Sequence, residues 1–389
     1  MSKFNFDSII ERKDTNSVKW DLADHIFAEP DVLPMWVADM DFQAPEEVLR
    51  ELQKKVEHGI FGYTVPLAST NSIVTNWLKR QHNWEIRDSW VTYSPGIVFA
   101  ISMAIQEFSK PGEKIVVQSP VYTPFFEMIE KNNRVVVTNP LKLKNNRYFL
   151  DFEDLDSKLD STVKILLLCN PHNPGGRMWT EDELKKIGEL CIRHNILVIS
   201  DEIHADLING TQTHIPFASL STEFADQSIT CIAPSKTFNL AGLQASALII
   251  LNADIRKRFD DCQHRQGFFS LNTFAIAGLE AAYQFGDAWL DSLRHYLQGN
   301  ITYLTTFIEN NLPSIKVMPP DASYLVWLDC RELGLTDEEI NYALLKKGKL
   351  ALEPGPKYGP GGEGFVRMNI GCPLSTLKDG LERLKVAFV

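Results

Sequence analysis

Six short apolar runs, each followed by polar residues, constrain the fold of this chain more than any other feature. They are rich in β-branched residues, they are bounded by Pro, Gly, Asn or Asp, and helix-like stretches lie between them. Such runs are typical of strands buried on both faces of a parallel sheet, with helices as the crossovers. They predict an α/β fold with a large, mostly parallel sheet. The runs are KIVVQ (114–118), RVVVT (134–138), KILLLC (164–169), ILVIS (196–200), ITCIA (229–233) and SALIIL (246–251).

The pattern of apolar and polar residues divides the 389 residues into three parts. Residues 1–45 are mixed and are expected to form an N-terminal arm, whereas residues 46–285 carry the alternating pattern of a large domain. After residue 285 a long helical stretch leads into YLVWLD (324–329), a Gly/Pro-rich segment, FVRMNIG and a last helix. This order predicts a smaller α+β domain over residues 286–389, which the arm is expected to join.

Composition argues against several classes of function. The formal net charge is −11 at pH 7, so the chain is not expected to bind nucleic acid or an anionic membrane. No apolar run approaches the ~20 residues of a membrane helix, and the N-terminus lacks the apolar core of a signal peptide. The six cysteines form no CxxC pair, which indicates a reducing compartment and hence a cytoplasmic protein. His172, His204 and His214 have no cysteine at metal-ligand spacing, so no metal site is predicted.

Polar residues follow three of the predicted strands, at the edge where an open α/β sheet binds its ligands. Asn173 lies in NPHNPGG after KILLLC, Asp201 directly follows ILVIS, and Lys236 follows ITCIA. Gly96 begins a predicted helix whose free N–H groups would suit a phosphate, and Tyr122 follows KIVVQ. Each residue alone has an ordinary structural explanation, such as a solvated lysine, a helix cap or a turn. Their convergence at one edge favours a site that combines an amine, a carboxylate, an amide and a phosphate cradle.

These motifs resemble those of the fold-type I pyridoxal-phosphate (PLP) enzymes, the aspartate aminotransferase superfamily, and in particular its MalY/PatB-type cystathionine β-lyase (C–S lyase) branch. The similarity extends from SVKWD near the N-terminus to the last helix. It implies the fold-type I PLP-dependent transferase fold, with residues 46–285 as the PLP-binding domain. The motifs that carry it are PMWVADMDF (34–42), HGIFGYTVP (58–66), SPGIV (94–98), PVYTPF (120–125), CNPHNPGGR (169–177), SDEIHADL (200–207), APSKTFNLAGLQASA (233–247), PDASYLVWLD (320–329) and LEPGPKYGPGGEGFVRMNIGC (352–372).

The resemblance implies a role for each residue around the cofactor ring. Lys236 corresponds to the catalytic lysine that forms a Schiff base with PLP and later removes the Cα proton of the substrate. Asp201 corresponds to the partner of the pyridinium nitrogen, and Asn173 to the partner of the phenolic oxygen. Tyr122 corresponds to the aromatic side chain that stacks on the ring.

The resemblance also implies how the phosphate and the substrate are bound. The backbone N–H groups of Gly96 and Ile97 are expected to bind the phosphate, with help from Tyr63 of the partner subunit in a homodimer whose active site lies at the interface. Arg367 is expected to bind the carboxylate of a small amino-acid substrate in a bidentate manner. The substrate-binding set is Arg367, Tyr63, Tyr122 and Asn173.

Three positions depart from the usual aminotransferase pattern. His204 replaces a tyrosine near the phenolic oxygen, where it is still expected to hydrogen-bond. Gln244 replaces a phosphate-binding arginine, and Ala233 replaces the first serine of the S-x-S-K run, which leaves Ser235. Phosphate binding is therefore expected to depend on backbone N–H groups, Ser235 and Tyr63 of the partner subunit. The three departures favour the C–S lyase branch.

The expected reaction is the α,β-elimination of L-cystathionine and related cysteine S-conjugates to a thiol, pyruvate and ammonia. An aminotransferase of class I/II uses the same residues in its first steps and is the alternative. A regulatory or partner-binding protein is a third interpretation, which the presence of both Lys236 and Asp201 disfavours. Two interpretations also stay open for Trp36 and Asp39, which either line the substrate pocket or anchor the arm.

Overall fold

The computed structural model describes residues 4–389. All six predicted runs form strands in it, and VTYS adds a further strand that the apolar pattern does not predict because two of its four residues are polar. The strands in these residues are β1 (Leu33–Pro34), β2 (Val91–Ser94), β3 (Lys114–Val117), β4 (Val135–Thr138), β5 (Lys142–Lys144), β6 (Arg147–Phe149), β7 (Val163–Cys169), β8 (Leu197–Asp201), β9 (Ser228–Ile232), β10 (Ser246–Ile249), β11 (Lys316–Met318), β12 (Leu325–Asp329), β13 (Leu350–Ala351), β14 (Glu353–Pro354) and β15 (Phe365–Asn369).

The helices lie where the polar and apolar pattern indicates. A Thr180–Glu183 capping box starts one of them, as TEDE predicts. None in the described range has the length and apolar character needed to cross a bilayer. The α-helices of residues 4–389 are α1 (Val18–Asp21), α2 (Ala23–Phe27), α3 (Glu46–His58), α4 (Ala68–His82), α5 (Ile97–Phe108), α6 (Thr123–Lys131), α7 (Phe152–Lys158), α8 (Glu181–Arg193), α9 (Thr222–Asp226), α10 (Pro234–Thr237), α11 (Ala253–Arg265), α12 (Thr273–Phe285), α13 (Asp287–Asn311), α14 (Asp337–Tyr342) and α15 (Leu374–Phe388).

The large sheet has seven strands in the order β2-β10-β9-β8-β7-β3-β4. Strand β10 pairs in antiparallel fashion with β2 and β9, whereas all other neighbouring strands of the sheet pair in parallel. The predicted mostly parallel sheet is therefore confirmed. Alternate residues of β7 pack into different apolar clusters: Ile165 and Leu167 lie in one, and Leu166 and Leu168 in another. Because successive side chains of a strand point to opposite faces, the sheet is buried on both sides, as its apolar runs require.

A second, antiparallel sheet has the order β11-β12-β15-β14, and α13 and α15 pack beside it. The N-terminal segment joins this part of the chain, since β1 pairs in parallel with β13 and the N–H of Asn369 donates to the carbonyl of Met35. The domain boundaries after residues 45 and 285 stay predictions. This arrangement brings the segment after β1, and Arg367 on β15, next to the carboxyl ends of the large sheet.

Candidate active site

A cavity of about 220 Å³ opens at the carboxyl ends of the parallel strands. In an open α/β sheet this is the edge at which ligands bind. Arg367 and Tyr63 do not line the cavity, whereas the other predicted site residues do. The predicted residues around it are Gly96, Ile97, Tyr122, Asn173, Asp201, His204, Ser235 and Lys236.

Lys236 reaches the cavity from α10, the single helical turn that follows β9. Its Nζ donates a hydrogen bond to the carbonyl of Ala38 at 2.7 Å. Burial, followed by the charge of Arg367, lowers the pKa of Lys236 to about 8, although Asp39 and Asp201 act in the opposite direction. An amine that loses its proton near neutral pH is suited to act as a nucleophile and as a base.

Asp201 is the last residue of β8, and its side chain is buried. Its Oδ1 accepts a hydrogen bond from the N–H of Ile203 at 3.2 Å, and it forms no ion pair within residues 4–389. Burial is the main reason that its pKa is raised to about 7, although the N–H of Ile203 and the charge of Lys236 lower it. A buried carboxylate without a cation fits a ligand that brings a positive charge, and a protonated pyridine ring is such a ligand.

The start of α5 also lines the cavity. Gly96 precedes its first residue, no side chain caps the helix, and the space beside the Gly96 Cα is open to at least 4 Å. Ile97 and Ser235 also border this space. Among the described lining residues only Lys236 is a lysine or arginine, and Gln244 lines the cavity with a neutral side chain. Helix N–H groups and a hydroxyl are therefore the groups that fit a phosphate here.

Tyr122, Asn173 and His204 line the same cavity. Tyr122 immediately precedes α6, and the N–H of Asn173 donates to the Sγ of Cys169 at 3.3 Å. His204 is buried and its Nδ1 has no partner in the described residues. Burial, followed by the charges of Lys236 and Arg367, lowers the pKa of His204 to about 3, so its imidazole is neutral. These polar groups fit the phenolic side of a cofactor ring.

Arg367 lies on β15 and is buried without a carboxylate partner in the described chain. Its Nη1 donates to Oδ1 of Asn173 at 3.1 Å, its Nη2 donates to the carbonyl of Trp36 at 2.8 Å, and its Nε has no partner. The guanidinium also lies over the ring of Tyr358, 5.3 Å from its centroid. A buried guanidinium with an unused donor is suited to bind a carboxylate.

The N-terminal segment contributes to the cavity through Ala38, which the sequence analysis does not single out although it lies within WVADMDF. Its neighbours do not line the cavity. Trp36 packs with Val32 and Ala351, and Asp39 pairs with Arg12 at 2.8 Å. For Trp36 and Asp39 these contacts favour the interpretation as anchors of the arm.

Tyr63 lies on the protein surface, in the segment 59–67 that connects α3 to α4. Its side chain is fully exposed, as are large parts of Ile60, Phe61, Val65 and Leu67. Contiguous exposed apolar side chains of this kind are unusual on the surface of a monomeric protein. As for metals, residues 4–389 contain no cluster of three or more His, Cys, Asp or Glu side chains that is placed to hold an ion.

Comparisons with known proteins agree with this geometry. The chain is 53% identical over 384 residues to cystathionine β-lyase PatB of Bacillus subtilis, which covers 98% of this chain and 99% of the relative. Cystalysin of Treponema denticola, whose crystal structure contains a pyridoxal 5′-phosphate cofactor, is 36% identical with a TM-score of 0.96 over 99% of this chain and 98% of that one. The PLP-bound C–S lyase of Staphylococcus hominis is 32% identical with a TM-score of 0.93 over 99% and 98%.

The match to a family model covers most of the chain. Residues 30–384 match the model of aminotransferase class I and II. This range includes every predicted site residue and all strands of the two larger β-sheets. Together with the 53% identity to PatB, it shows that this chain belongs to the aminotransferase class I and II family, the fold-type I PLP enzymes.

Proposed function

We propose that this chain is a PLP-dependent carbon–sulfur β-lyase that cleaves L-cystathionine and related cysteine S-conjugates to a thiol, pyruvate and ammonia. The observation that carries the proposal is that a partly buried amine and a buried carboxylate line one cavity. The pKa of Lys236 is lowered to about 8, and Asp201 forms no ion pair within residues 4–389. The similarity to PatB and to the S. hominis C–S lyase favours β-elimination among the reactions that such a site supports.

Asp201, Asn173 and Tyr122 would hold the cofactor ring, and the start of α5 with Ser235 would hold its phosphate. When it is bound, PLP supplies an electron sink for negative charge at the substrate Cα. Asp201 keeps the proton on the ring nitrogen, because a buried carboxylate is stabilised by an adjacent positive charge. This arrangement makes the electron sink effective throughout the reaction.

Arg367 and Lys236 would act on the substrate itself. Arg367 binds the α-carboxylate through donors that no carboxylate occupies in the described chain. Lys236 Nζ then accepts the Cα proton, for which its lowered pKa is suited. The Cβ–S bond breaks, and its electron pair leaves on the sulfur. Hydrolysis of the remaining three-carbon fragment gives pyruvate and ammonia.

The proposal is tested by mixing the pure PLP-loaded protein with L-cystathionine and measuring pyruvate and free thiol. We expect both products in equal amounts, and none from the Lys236→Ala variant. A panel of cysteine S-conjugates then ranks the leaving groups. Absence of pyruvate from cystathionine, cysteine and every conjugate would overturn the proposal.

An aminotransferase is the second candidate, because the family model that matches residues 30–384 is that of aminotransferase class I and II. The fate of the cofactor separates the two activities. A transaminase transfers the amino group to its cofactor and needs a keto acid to restore it, whereas a lyase turns over with one substrate. Turnover of cystathionine without any keto acid therefore supports the lyase.

We further propose that two copies of this chain form the active unit. The exposed apolar side chains of segment 59–67 supply a contact surface, and Tyr63 within it would reach the phosphate of the other copy's cofactor. Size-exclusion chromatography with light scattering tests the dimer.

We also propose a cytoplasmic location, because all six cysteines are buried and unpaired, which fits a reducing compartment.

A further inference from the structure

Behind the cavity lies Asp206, a buried carboxylate that the proposed mechanism does not use. Its Oδ2 accepts a hydrogen bond from Oγ1 of Thr237 at 2.8 Å. Its Oδ1 lies 2.8 Å from Nε2 of His82 and accepts a bond from Nε1 of Trp77 at 3.3 Å. Burial by itself would raise the pKa of Asp206, but the bonds from His82 and Thr237 and the charge of Arg294 outweigh burial and lower it. Asp206 is therefore a charged, fully engaged group.

Asp206 connects two segments that carry site residues. It belongs to the turn after β8, in which the N–H of Ala205 donates to the carbonyl of Glu202 at 2.9 Å. Asp201, the last residue of β8, directly precedes this turn. Thr237 is the last residue of α10 and directly follows Lys236. One carboxylate thus ties the segment that carries the candidate partner of the ring nitrogen to the segment that carries the candidate base.

The helical turn α10 needs such a tie. It has four residues, and its N-cap residue Ala233 makes no side-chain hydrogen bond. A single helical turn is not stable by itself, because nucleation fixes several residues for one hydrogen bond. Thr237 is fully buried and β-branched, so its side chain has few accessible rotamers. Its bond to Asp206 therefore orients the backbone from which Lys236 projects.

We propose that Asp206 is a positioning residue for Lys236: through the hydroxyl of Thr237 it fixes the helical turn that holds the lysine amine relative to Asp201. Neither Asp206 nor Thr237 lines the cavity, so both act through other residues. The inference rests on the proposed function, since it concerns the placement of the base in that reaction.

The experiment compares Thr237→Val, which removes the hydroxyl at almost constant volume, with Thr237→Ser, which keeps it. In the PLP-loaded Thr237→Val enzyme we expect kcat to fall about tenfold, the effect of losing roughly one charge-assisted hydrogen bond, with KM within about twofold. The visible circular dichroism of the bound cofactor, which reports the orientation of its ring, should change as well. Thr237→Ser should keep both properties close to those of the unmodified enzyme.

Thr230→Val is the matched control. Thr230 lies on β9, is as fully buried as Thr237, and its hydroxyl has no hydrogen-bond partner in the described residues. The same atoms change in the same core, but no hydrogen bond is lost. We expect kcat and visible circular dichroism to remain unchanged, so that any effect specific to Thr237→Val arises from its bond to Asp206.

Two results would overturn the inference: Thr237→Val with unchanged kcat and dichroism, or Thr230→Val with the same losses. If Thr237→Val does not fold, Thr237→Ala replaces it, since it also removes the hydroxyl and adds no bulk; unchanged kcat and dichroism in that variant also overturn the inference. Failure of the proposed function looks different. The unmodified enzyme would then release no pyruvate, while the dichroism would still report on the placement of Lys236.

Discussion

Replacing Asp201 by asparagine should have opposite effects on catalysis and on the stability of the cofactor-free protein. The amide has nearly the same shape, and its oxygen can still accept the hydrogen bond that the N–H of Ile203 donates at 3.2 Å. What disappears is the negative charge. In the PLP-loaded enzyme we propose that this charge holds the proton on the ring nitrogen, whereas in the cofactor-free protein it is a buried charge without an ion-pair partner in residues 4–389.

The size of both effects follows from the pKa of Asp201, which burial raises from 3.8 to about 7. Since one pKa unit corresponds to 1.36 kcal/mol, ionising this carboxyl in the fold costs about 4 kcal/mol. The folded chain binds more protons than the unfolded chain between about pH 4 and pH 7, so the free energy of unfolding decreases as the pH rises through that window. Below about pH 4 the cost is absent.

We therefore expect Asp201→Asn to raise the free energy of unfolding of the cofactor-free protein by up to about 4 kcal/mol at pH 7.5, and by little at pH 4. In the PLP-loaded enzyme kcat should fall by up to about 10³-fold, because a comparable interaction with the ring nitrogen is lost. Urea unfolding at both pH values and initial rates of pyruvate release measure the two effects. A variant that is no more stable than the original chain at pH 7.5 would refute the argument from burial.

Three further variants test the other parts of the site. Lys236→Ala removes the amine, so pyruvate release should fall by at least about 10³-fold, and the visible absorbance of the lysine-linked cofactor should disappear from the spectrum. Arg367→Lys keeps the charge but loses the bidentate fork, so KM for cystathionine should rise about 10- to 100-fold in initial-rate assays with a smaller change in kcat. If Tyr63 completes the site of the other subunit, a mixture of inactive Tyr63→Ala and Lys236→Ala chains should regain about a quarter of full activity when dimers are re-formed. Half of the random dimers then contain one intact site out of two. No regain would place Tyr63 in its own subunit's site or outside both.

The sequence predicts much of the fold because the large sheet is buried on both faces. Burial on both faces requires continuous apolar strands, and KILLLC and ILVIS show this signal directly. Strand β2 lies at the edge of the sheet next to β10, and two of its four residues are only partly buried. A strand that is half-buried and four residues long carries little apolar signal, so its sequence does not distinguish it from a loop.

The candidate site is predictable where side chains perform the chemistry. Asp201 ends β8 and Lys236 follows the adjacent strand β9, and a topological rule places such residues at one edge. The buried tie between Asp206 and Thr237 has no such signal. Thr237 follows Lys236 in the sequence, but nothing in SKTFN indicates that its hydroxyl points away from the cavity and toward a carboxylate on another segment.

Backbone groups are a further part of the site that a sequence does not reveal, and they explain why the N-terminal segment matters. The carbonyl of Ala38 accepts hydrogen bonds from Lys236 at 2.7 Å and from the hydroxyl of Tyr324 at 3.0 Å, while the carbonyl of Trp36 accepts one from Arg367. Every residue has a carbonyl, so no residue type marks these positions. The side chains of the candidate base and of the candidate carboxylate-binding arginine are thus both held by one short segment of backbone. Arg12 holds the same segment through its ion pair with Asp39, although it does not line the cavity.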